Sequence, residues 1–468
     1  MQLNRTSIDY FNTLAPKRLK WKKRNSFYHK LLERYFSFYI PPDSKVLEIG
    51  CGTGELLNYI KPKEGLGIDF SENMIQIAKQ KFPNLNFSAD DIENLNVSEK
   101  YDYIIISDLL TSLWDIQKSF AELKKVCHKN TRIIISSYNI LWEPILKLSE
   151  FLGLKSKQPI QNWLTINDII NLMLLEGFEV IKKERKIILP KNIPIFSFIF
   201  NNLFANIPII NKLDLVNFII ARPIEPDTNI YSVSVLVPAR NEKGNIENAI
   251  LRTPKFGKSI EFIFVEGHSQ DNTWDEILSI KKKYKDLNIV ALKQSGKGKG
   301  NAVREGFEIA TGDILMILDA DLTTPPEELP KFYNALATNK GEFINGCRLV
   351  YPVEKQAMRF LNIIGNQFFG TFLSFILGQK LKDTLCGTKV LFRKDYEKIK
   401  ANRAYFGDFD PFGDFDLLFG ATKQNLKIVE IIVRYKDRQY GSTQISRFKH
   451  GFRLLKMSLF AAKKIKFI

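Results

Sequence analysis

The stretch KVLEIGCGTGELL, residues 45–57, decides the fold of the first half of this 468-residue chain. Val46, Leu47 and Ile49 form a short apolar run of strand type, and Gly50, Gly52 and Gly54 then turn the chain before the helix-forming Glu55, Leu56 and Leu57. A glycine turn between strand and helix lets backbone amides approach a ligand, because no side chain intervenes. Working outward, runs rich in Ile and Val recur: GLGID at 65–69, LNFS at 85–88, YDYIIIS at 101–107, TRIIIS at 131–136, FEVIKK at 178–183 and NFIIA at 217–221. Helical stretches separate the earlier runs, so the pattern predicts an α/β fold with a parallel sheet covered by helices. Ligands of such sheets sit beyond the carboxyl ends of the strands. Chemistry is therefore expected in the loops after the first, second and fourth strands.

Those loops hold the candidate residues. A dinucleotide fingerprint would need glycine at position 55, and Glu55 stands there, which argues against a nicotinamide site. The second strand ends in Asp69, followed by Phe70; a carboxylate here accepts both hydrogen bonds of a ribose diol. After the third strand, Asp90, Asp91 and Ile92 offer an acceptor for an adenine amine beside an apolar face, although an Asp pair in a loop also serves as a turn or cap. Ser107 and Asp108 end the fourth strand. With Trp114 and Tyr138 they are candidates for an acceptor pocket, a role that core packing of the aromatics rivals.

Taken in order, VLEIGCGTGELL, GIDFSENMIQIAKQKFP, SADDIENL and YDYIIISDLL resemble the cofactor-site segments of the class I methyltransferases, over roughly residues 40–185. The resemblance implies S-adenosylmethionine as cofactor. It implies that Glu48, Gly50, Gly52 and Gly54 embrace the methionine end, Asp69 the ribose, and Asp91 with Ile92 the adenine, with Cys51, Phe70, Asp90 and Ser107 also counted among the cofactor-binding residues.

Pro223, Pro226 and Asp227 interrupt the pattern as a short linker does, which places a boundary near residue 227. Two domains are expected, 1–226 with an apolar insertion at about 190–215, and 227–468. In the second, YSVSVLVPARNEKGNI at 231–246, EFIFVEGHSQDNT at 261–273 and GDILMILDADLTTPP at 312–326 each run from an apolar strand into a polar, acidic loop, again a Rossmann-like arrangement. Asp319 and Asp321, flanking Ala320 at a strand end, are placed to face one hard cation, Mg2+ or Mn2+, which would bridge the phosphates of a nucleotide sugar. The lysine-rich glycine loop GKGKGNAVREGFEIATGD at 296–313, with Lys297 and Lys299, suits anionic phosphate.

These segments resemble family 2 glycosyltransferases of the GT-A fold, most closely those that move a sugar onto polyprenyl (dolichyl) phosphate, over about residues 232–455. The resemblance implicates Pro238, Ala239, Arg240, Glu242 and Glu266 in nucleotide-sugar binding with Lys299, Asp319, Ala320 and Asp321, and Arg348, Arg359, Arg393 and Arg438 in phosphate contacts. Arginine suits that task because its planar fork binds phosphate at two points. A hydroxyl acceptor needs a carboxylate base and a phosphate acceptor hardly needs one. Asp414 and Asp416 stand at the family's usual place for that base, with Asp383 as an alternative, and helix capping is a rival role for each. Two departures stand out. Glu266, Gly267, His268 and Ser269 replace the family's acidic pair before Gly-Ser, and its membrane-spanning C-terminal helices are missing.

The expected fold class is thus α/β, two Rossmann-like domains, a class I methyltransferase sheet followed by a GT-A glycosyltransferase fold. The function it implies is a bifunctional enzyme acting on a lipid-phosphate or glycan acceptor. The alternative is a membrane-peripheral glycosyltransferase with an inactive methyltransferase-like domain. Four scattered cysteines and four scattered histidines argue against a disulfide framework or an imidazole metal centre. With no secretory signal in the first residues, a cytoplasmic protein is expected, peripheral on the inner face of the membrane. The net charge of +17 fits phosphorylated substrates or anionic lipid; no recognition module follows the basic LAPKRLKWKKRN stretch, so nucleic acid is not expected. The apolar segment 193–210 is interrupted by Asn201, Asn202, Asn206 and Pro208; core or cap packing is its first reading and interfacial contact its second. The tail FKHGFRLLKMSLFAAKKIKFI reads as an amphipathic basic helix, either on lipid or on the protein surface.

Overall fold

A computed structural model describes residues 2–157, 159, 161–351, 360–405, 413–438, 440 and 447–467, without the side chains of residues 2–7, 360–364, 414 and 447–450. The chain divides into two compact units, residues 1–225 with 467–468, and 226–466.

In the first unit the strands are β1 (Lys45–Ile49), β2 (Glu64–Asp69), β3 (Asn86–Ala89), β4 (Tyr101–Ser107), β5 (Cys127–Tyr138), β6 (Phe178–Lys186) and β7 (Val216–Pro223), in the order β3-β2-β1-β4-β5-β7-β6. Pairings from β3 through β5 are parallel, and β7 runs antiparallel to both β5 and β6. The central strands are apolar on both faces because both are covered, and Ile104, Ile105, Ile106, Ile133, Ile134 and Ile135 are fully buried. The helices are α1 (Gln2–Arg24), α2 (Ser26–Tyr39), α3 (Glu55–Ile60), α4 (Glu72–Lys81), α5 (Ile116–Leu123), α6 (Glu143–Phe151), α7 (Ile166–Leu175) and α8 (Phe196–Asn202). Tyr35, Phe36 and Tyr39 of α2 close one face by packing their rings around Phe218 of β7. Between β6 and β7, the segment 193–210 turns Asn201, Ala205 and Asn206 inward and exposes Ile195, Phe196, Phe198, Leu203 and Ile209. That corrects the reading of core packing. Buried amides need partners, and the ends of β6 supply them.

The second unit carries β8 (Val233–Ala239), β9 (Ile260–Glu266), β10 (Asn288–Lys293), β11 (Ile314–Ile317), β12 (Phe343–Cys347), β13 (Lys389–Phe392) and β14 (Ile428–Ile432), ordered β10-β9-β8-β11-β13-β12-β14. β8 to β11 pair in parallel, while β13 is antiparallel to both β11 and β12. Its helices are α9 (Ile246–Leu251), α10 (Thr273–Lys283), α11 (Lys299–Ile309), α12 (Leu329–Ala337), α13 (Phe360–Leu377), α14 (Arg393–Ala401), α15 (Asp414–Lys423) and α16 (Arg447–Ala461). The reversed direction of β13 corrects one assignment. Phe392 pairs with Ile314 at the start of β11, and the Arg393 amide donates to the Asp313 carbonyl at 2.8 Å. Arg393 therefore stands at the far end of the sheet from Asp319 and joins no phosphate site there. The basic tail is a packed helix: Leu454, Met457, Ala461 and Ile465 are buried, and the Tyr405 hydroxyl donates to the Lys464 carbonyl at 2.7 Å. Among the described residues no helix is long and apolar enough to cross a membrane.

Gly312 lets the chain enter β11 against β8. A Cβ there would stand 2.5 Å from the Ser234 backbone nitrogen and 2.7 Å from the Val233 carbonyl carbon. Backbone in a sheet cannot yield as a side-chain tip can. Gly312→Ala is expected to destabilise the second unit by about 1–3 kcal/mol, read by urea unfolding, with the first unit's transition unmoved.

Candidate functional sites

In the first unit the glycine turn wraps the end of β2. Asp69 is buried; its Oδ2 accepts from the Gly52 amide and its Oδ1 from the Ser71 amide, both at 2.9 Å. One carboxylate thus fixes the loops after β1 and β2 together. Burial raises its pKa, against the two amides and the positive Arg18 and Lys22. Gly50, Gly52 and Gly54 all have positive φ, which other residues rarely adopt. A Cβ on Gly50 would also strike Leu109 at 2.8 Å, and one on Gly54 would strike Phe87 at 2.7 Å.

The loops enclose an open cleft of about 450 Å³ at the carboxyl end of the sheet. Gly50, Asp69, Phe70, Asp90, Asp91 and Ile92 line it, together with Ile49, Glu93, Leu109, Ser112, Leu113 and Trp114. Six of the cofactor candidates named from the sequence therefore meet around one space. Asp90 and Asp91 also hold local turns, Asp90 accepting from the Asp91 amide at 3.0 Å and Asp91 from the Glu93 amide at 3.0 Å; capping and cleft lining coexist. Glu48, Cys51, Gly52, Gly54 and Ser107 are not part of that lining. Glu48 is buried and accepts from the Leu57 amide at 3.0 Å, tying β1 to the first turn of α3. Burial pushes its carboxyl up to about 8. Cys51 is buried in the core beneath the turn.

Beyond β4 and β5 a second cluster forms. Asp108, at φ +53°, accepts from the Tyr28 hydroxyl at 2.6 Å and from the Ser136 hydroxyl at 2.7 Å. Tyr138 packs by Tyr28, ring centroids 6.2 Å apart. The buried Nε of Arg18 has no hydrogen-bond partner and would lie 3.9 Å from a Cβ on Gly52. Asp108 and Tyr138 of the acceptor candidates stand together here; Trp114 sits instead in the cleft lining with Asp91 and Ile92, its amide donating to Glu93 Oε1 at 2.8 Å. Arg18 and Tyr28 were not foreseen. They come from α1 and α2, which precede the sheet and carry no motif.

In the second unit the ends of β8, β9 and β11 meet. Lys299 Nζ lies 2.7 Å from Asp319 Oδ1. Arg438 donates to Glu242 Oε1 at 2.6 Å and to Asp321 Oδ2 at 2.7 Å, closing the loops after β8 and β11 against the segment after β14. Burial raises the Asp319 pKa, but Lys299, Arg348 and Lys389 outweigh it and hold the carboxyl below its ordinary range. Gly387 faces this pair: a Cβ there would stand 1.9 Å from Asp319 Oδ2 and 2.5 Å from Lys299 Nζ. The missing side chain keeps a cradle open. Asp319 and Asp321 with that cradle fit a hard cation that takes one or two carboxylates and fills its shell with substrate phosphate. The described residues hold no cluster of three or more His, Cys, Asp or Glu for a metal held by protein alone.

The remaining candidates separate. Pro238 and Ala239 end β8, Arg240 is exposed, Glu266 is buried with its carboxylate on the Ser269 amide, and Ala320 packs into the core. Lys297 is exposed on the glycine loop. Arg348 is clamped by Asp383 through Nε at 2.7 Å and a terminal nitrogen at 2.9 Å, with its guanidinium over the Tyr435 ring. Asp383 is fully buried and held below the usual carboxylate range; burial raises it but the Arg348 charge dominates. Asp383 therefore positions Arg348 and is no free base. Asp416 is likewise paired, 2.8 Å from Arg403 Nε. Two buried carboxylates beside guanidinium groups pair with them because neither charge can stay unpaired out of water. Arg359 lies outside the described residues, as does the side chain of Asp414, whose backbone opens α15.

Two α/β domains with ligand loops at their carboxyl ends are thus defined, and their classes follow. Residues 40–173 match the family model for a methyltransferase domain, and residues 234–400 match that for glycosyl transferase family 2. The chain carries both domains. In the second, it is 36% identical over 120 residues to dolichol-phosphate mannosyltransferase of Pyrococcus furiosus, covering 25% of this chain and 33% of that protein. In the first, it is 29% identical over 154 residues to the ubiquinone/menaquinone biosynthesis C-methyltransferase UbiE of Campylobacter jejuni, covering 30% of this chain and 66% of that one. The chain thus spans less than two thirds of these relatives' lengths. A SAM-dependent methyltransferase structure from Thermotoga maritima aligns at 16% identity with a TM-score of 0.36, over 46% of this chain and 98% of that one.

Two outcomes follow from this geometry. The folded Glu48 pKa lies above the ordinary 4.5, so between about pH 4.5 and about 8 the native state keeps a proton the unfolded chain has lost. Stability falls as pH rises through that window. Glu48→Gln should flatten the decline of the first unit's melting temperature between pH 6 and 8 in the ligand-free protein. Gly387→Ala fills the cradle at Asp319, and sugar transfer should drop by at least about tenfold while S-adenosylmethionine binding to the first unit is unchanged.

Proposed function

We propose that the chain is a bifunctional enzyme. Its first domain transfers a methyl group from S-adenosylmethionine, and its second transfers a sugar from a nucleotide sugar, with Mg2+ or Mn2+, to a lipid-phosphate or glycan acceptor at the inner face of a membrane. The convergence of Gly50, Asp69, Phe70, Asp90, Asp91 and Ile92 on one cleft carries the first half of this reading. Asp69 takes the ribose, its lone pairs not used by the two amides being available for the diol. Asp91 and Ile92 take the adenine, and Gly50 to Gly54 the methionine end. Methyl transfer is a displacement that demands alignment above all. Where the acceptor carries a proton, Asp108, hydrogen-bonded by Tyr28 and Ser136, is the carboxylate assigned to receive it.

In the second domain, Asp319 and Asp321 would hold the cation, which when bound neutralises charge on the departing diphosphate. Lys299 and Arg438 bring positive charge to the same place from the glycine loop and the segment after β14. Arg348, held in orientation by Asp383, offers its remaining donors to phosphate. With Asp383 and Asp416 committed to arginines, neither serves as base for a hydroxyl acceptor. Asp414, whose side chain lies outside the described residues, is the remaining candidate base; a phosphate oxygen is already ionised and needs none, and the lipid-phosphate reading is supported by the acceptor named for the dolichol-phosphate mannosyltransferases.

Calorimetry with S-adenosylmethionine should show one site per chain, weakened at least about tenfold by Asp69→Ala, since the ribose contacts and the loop geometry are lost together. With a labelled nucleotide sugar, manganese and polyprenyl phosphate, glycolipid should form with the wild type and not with Asp319→Ala. Equal product from both would sink the sugar-transfer reading, and absent cofactor binding would sink the other.

A further inference from the structure

Helix α8 is built inside out. The residues it buries, Ser197 and Asn201, are polar, while Phe196, Phe198 and Phe200 face outward, Phe198 being 70% exposed. Asn201 is used up inside: its Oδ1 accepts from the Ile188 and Leu189 amides at 3.0 and 2.9 Å, and its Nδ2 donates to the Leu189 carbonyl at 2.8 Å. Asn206 accepts from the buried Lys186 Nζ at 2.8 Å and donates to the Asn202 carbonyl at 2.8 Å. An ordinary surface helix turns its apolar stripe to the core. This one satisfies its amides there and presents aromatic rings to the outside.

Two Pro-Ile steps frame the helix. Ile195 and Ile209 have φ of +66° and +83°, and their side chains are 74% and 77% exposed. A β-branched residue is strained in that region. The surface continues onto α6, because Trp142 Nε1 donates to the Leu213 carbonyl at 2.7 Å and Asn139 Nδ2 to the Lys212 carbonyl at 2.9 Å. Helix α6 buries none of its residues and exposes Ile145, Leu148 and, at its end, Phe151 at 85%. A contiguous apolar face of this kind marks an interaction site.

The border of the face is basic. Arg24, at the end of α1, donates to the Gly153 carbonyl at 2.8 Å, and Lys191 Nζ donates to Asn25 Oδ1 at 2.7 Å, so the run KRLKWKKR at 17–24 reaches the rim between α6 and α8. Lys17, Lys20 and Lys23 are exposed. From residue 187 to 213 the charged residues are Lys191 and Lys212, without an acid. The acids of α6 are each paired with a lysine, Glu143 with Lys147 at 2.6 Å and Glu150 with Lys155, so apolar side chains bordered by net positive charge match the layering of an anionic bilayer, headgroup charge outside and acyl chains within. A second copy docking face to face would set the same basic rim against itself.

We infer that this face of the methyltransferase domain docks on an anionic lipid bilayer, α8 and α6 entering the interface and the end of α1 meeting the headgroups. Helix α1 also carries Lys22 to Glu55 and Arg18 to the rim of the glycine turn, so docking sets the helix that borders the cofactor cleft at the lipid surface. The inference deepens the membrane reading above and stands on this face alone, independent of either transfer activity.

The test is flotation of the full chain with vesicles of phosphatidylcholine containing phosphatidylglycerol, beside vesicles of phosphatidylcholine alone. The wild type should float with the anionic vesicles and the double variant Phe198→Ser, Ile209→Ser should lose at least about tenfold in binding, with melting temperature and S-adenosylmethionine affinity unchanged. The variant Phe452→Ser, Leu459→Ser, on the exposed side of α16, should bind as the wild type does. No flotation of the wild type overturns the inference, and so does binding lost through the α16 pair and kept by the Phe198 pair. A wild type that dimerises through Phe198 and ignores vesicles assigns the face to protein association and overturns it as well.

Discussion

A carboxylate at the end of a strand has given up most of its water and must find hydrogen donors, and the ligand loops of both domains take their shape from that demand. Asp69 finds them in the Gly52 and Ser71 amides. That choice fixes the glycine turn against the end of β2, requires positive φ along the turn, and leaves the cleft open on the far side. In the second domain Asp319 and Asp321 find cations instead, Lys299 from the glycine loop and Arg438 from beyond β14. Segments far apart in sequence are thereby drawn to one point.

The same rule removes candidates. Asp383 and Asp416 read as candidate bases in sequence because the family resemblance puts a carboxylate base at or near those places, and sequence does not show their partners. Folded, each faces a guanidinium at hydrogen-bonding distance. An ion pair of that kind holds its carboxyl ionised and oriented, so Asp383 acts by presenting Arg348 rather than by taking a proton.

The segment 187–213 shows burial decided by polar groups rather than by hydrophobicity. Its amides are held by the end of β6 and by Lys186, and once they occupy the inner side no room remains for the phenylalanines. Mean hydropathy of the segment would place it inside. Hydrogen-bond demand turns it over, and the apolar side faces outward.

How much was legible in the sequence follows from where each constraint acts. The alternation of strand and helix, the glycine turn, Asp69 and the Asp319, Asp321 pair are local patterns, because period, turn chemistry and strand-end position are set within a few residues. Those determined the two α/β domains and most of the first cleft. Arg18 and Tyr28 at the cofactor side, Arg438 bridging Glu242 and Asp321, the removal of Arg393 by the antiparallel β13, and the outward turn of α8 were decided by tertiary structure alone. Each depends on a contact between segments that sequence places far apart or on the direction of a strand, and neither sequence order nor residue type encodes which side chain a folded chain brings within 3 Å.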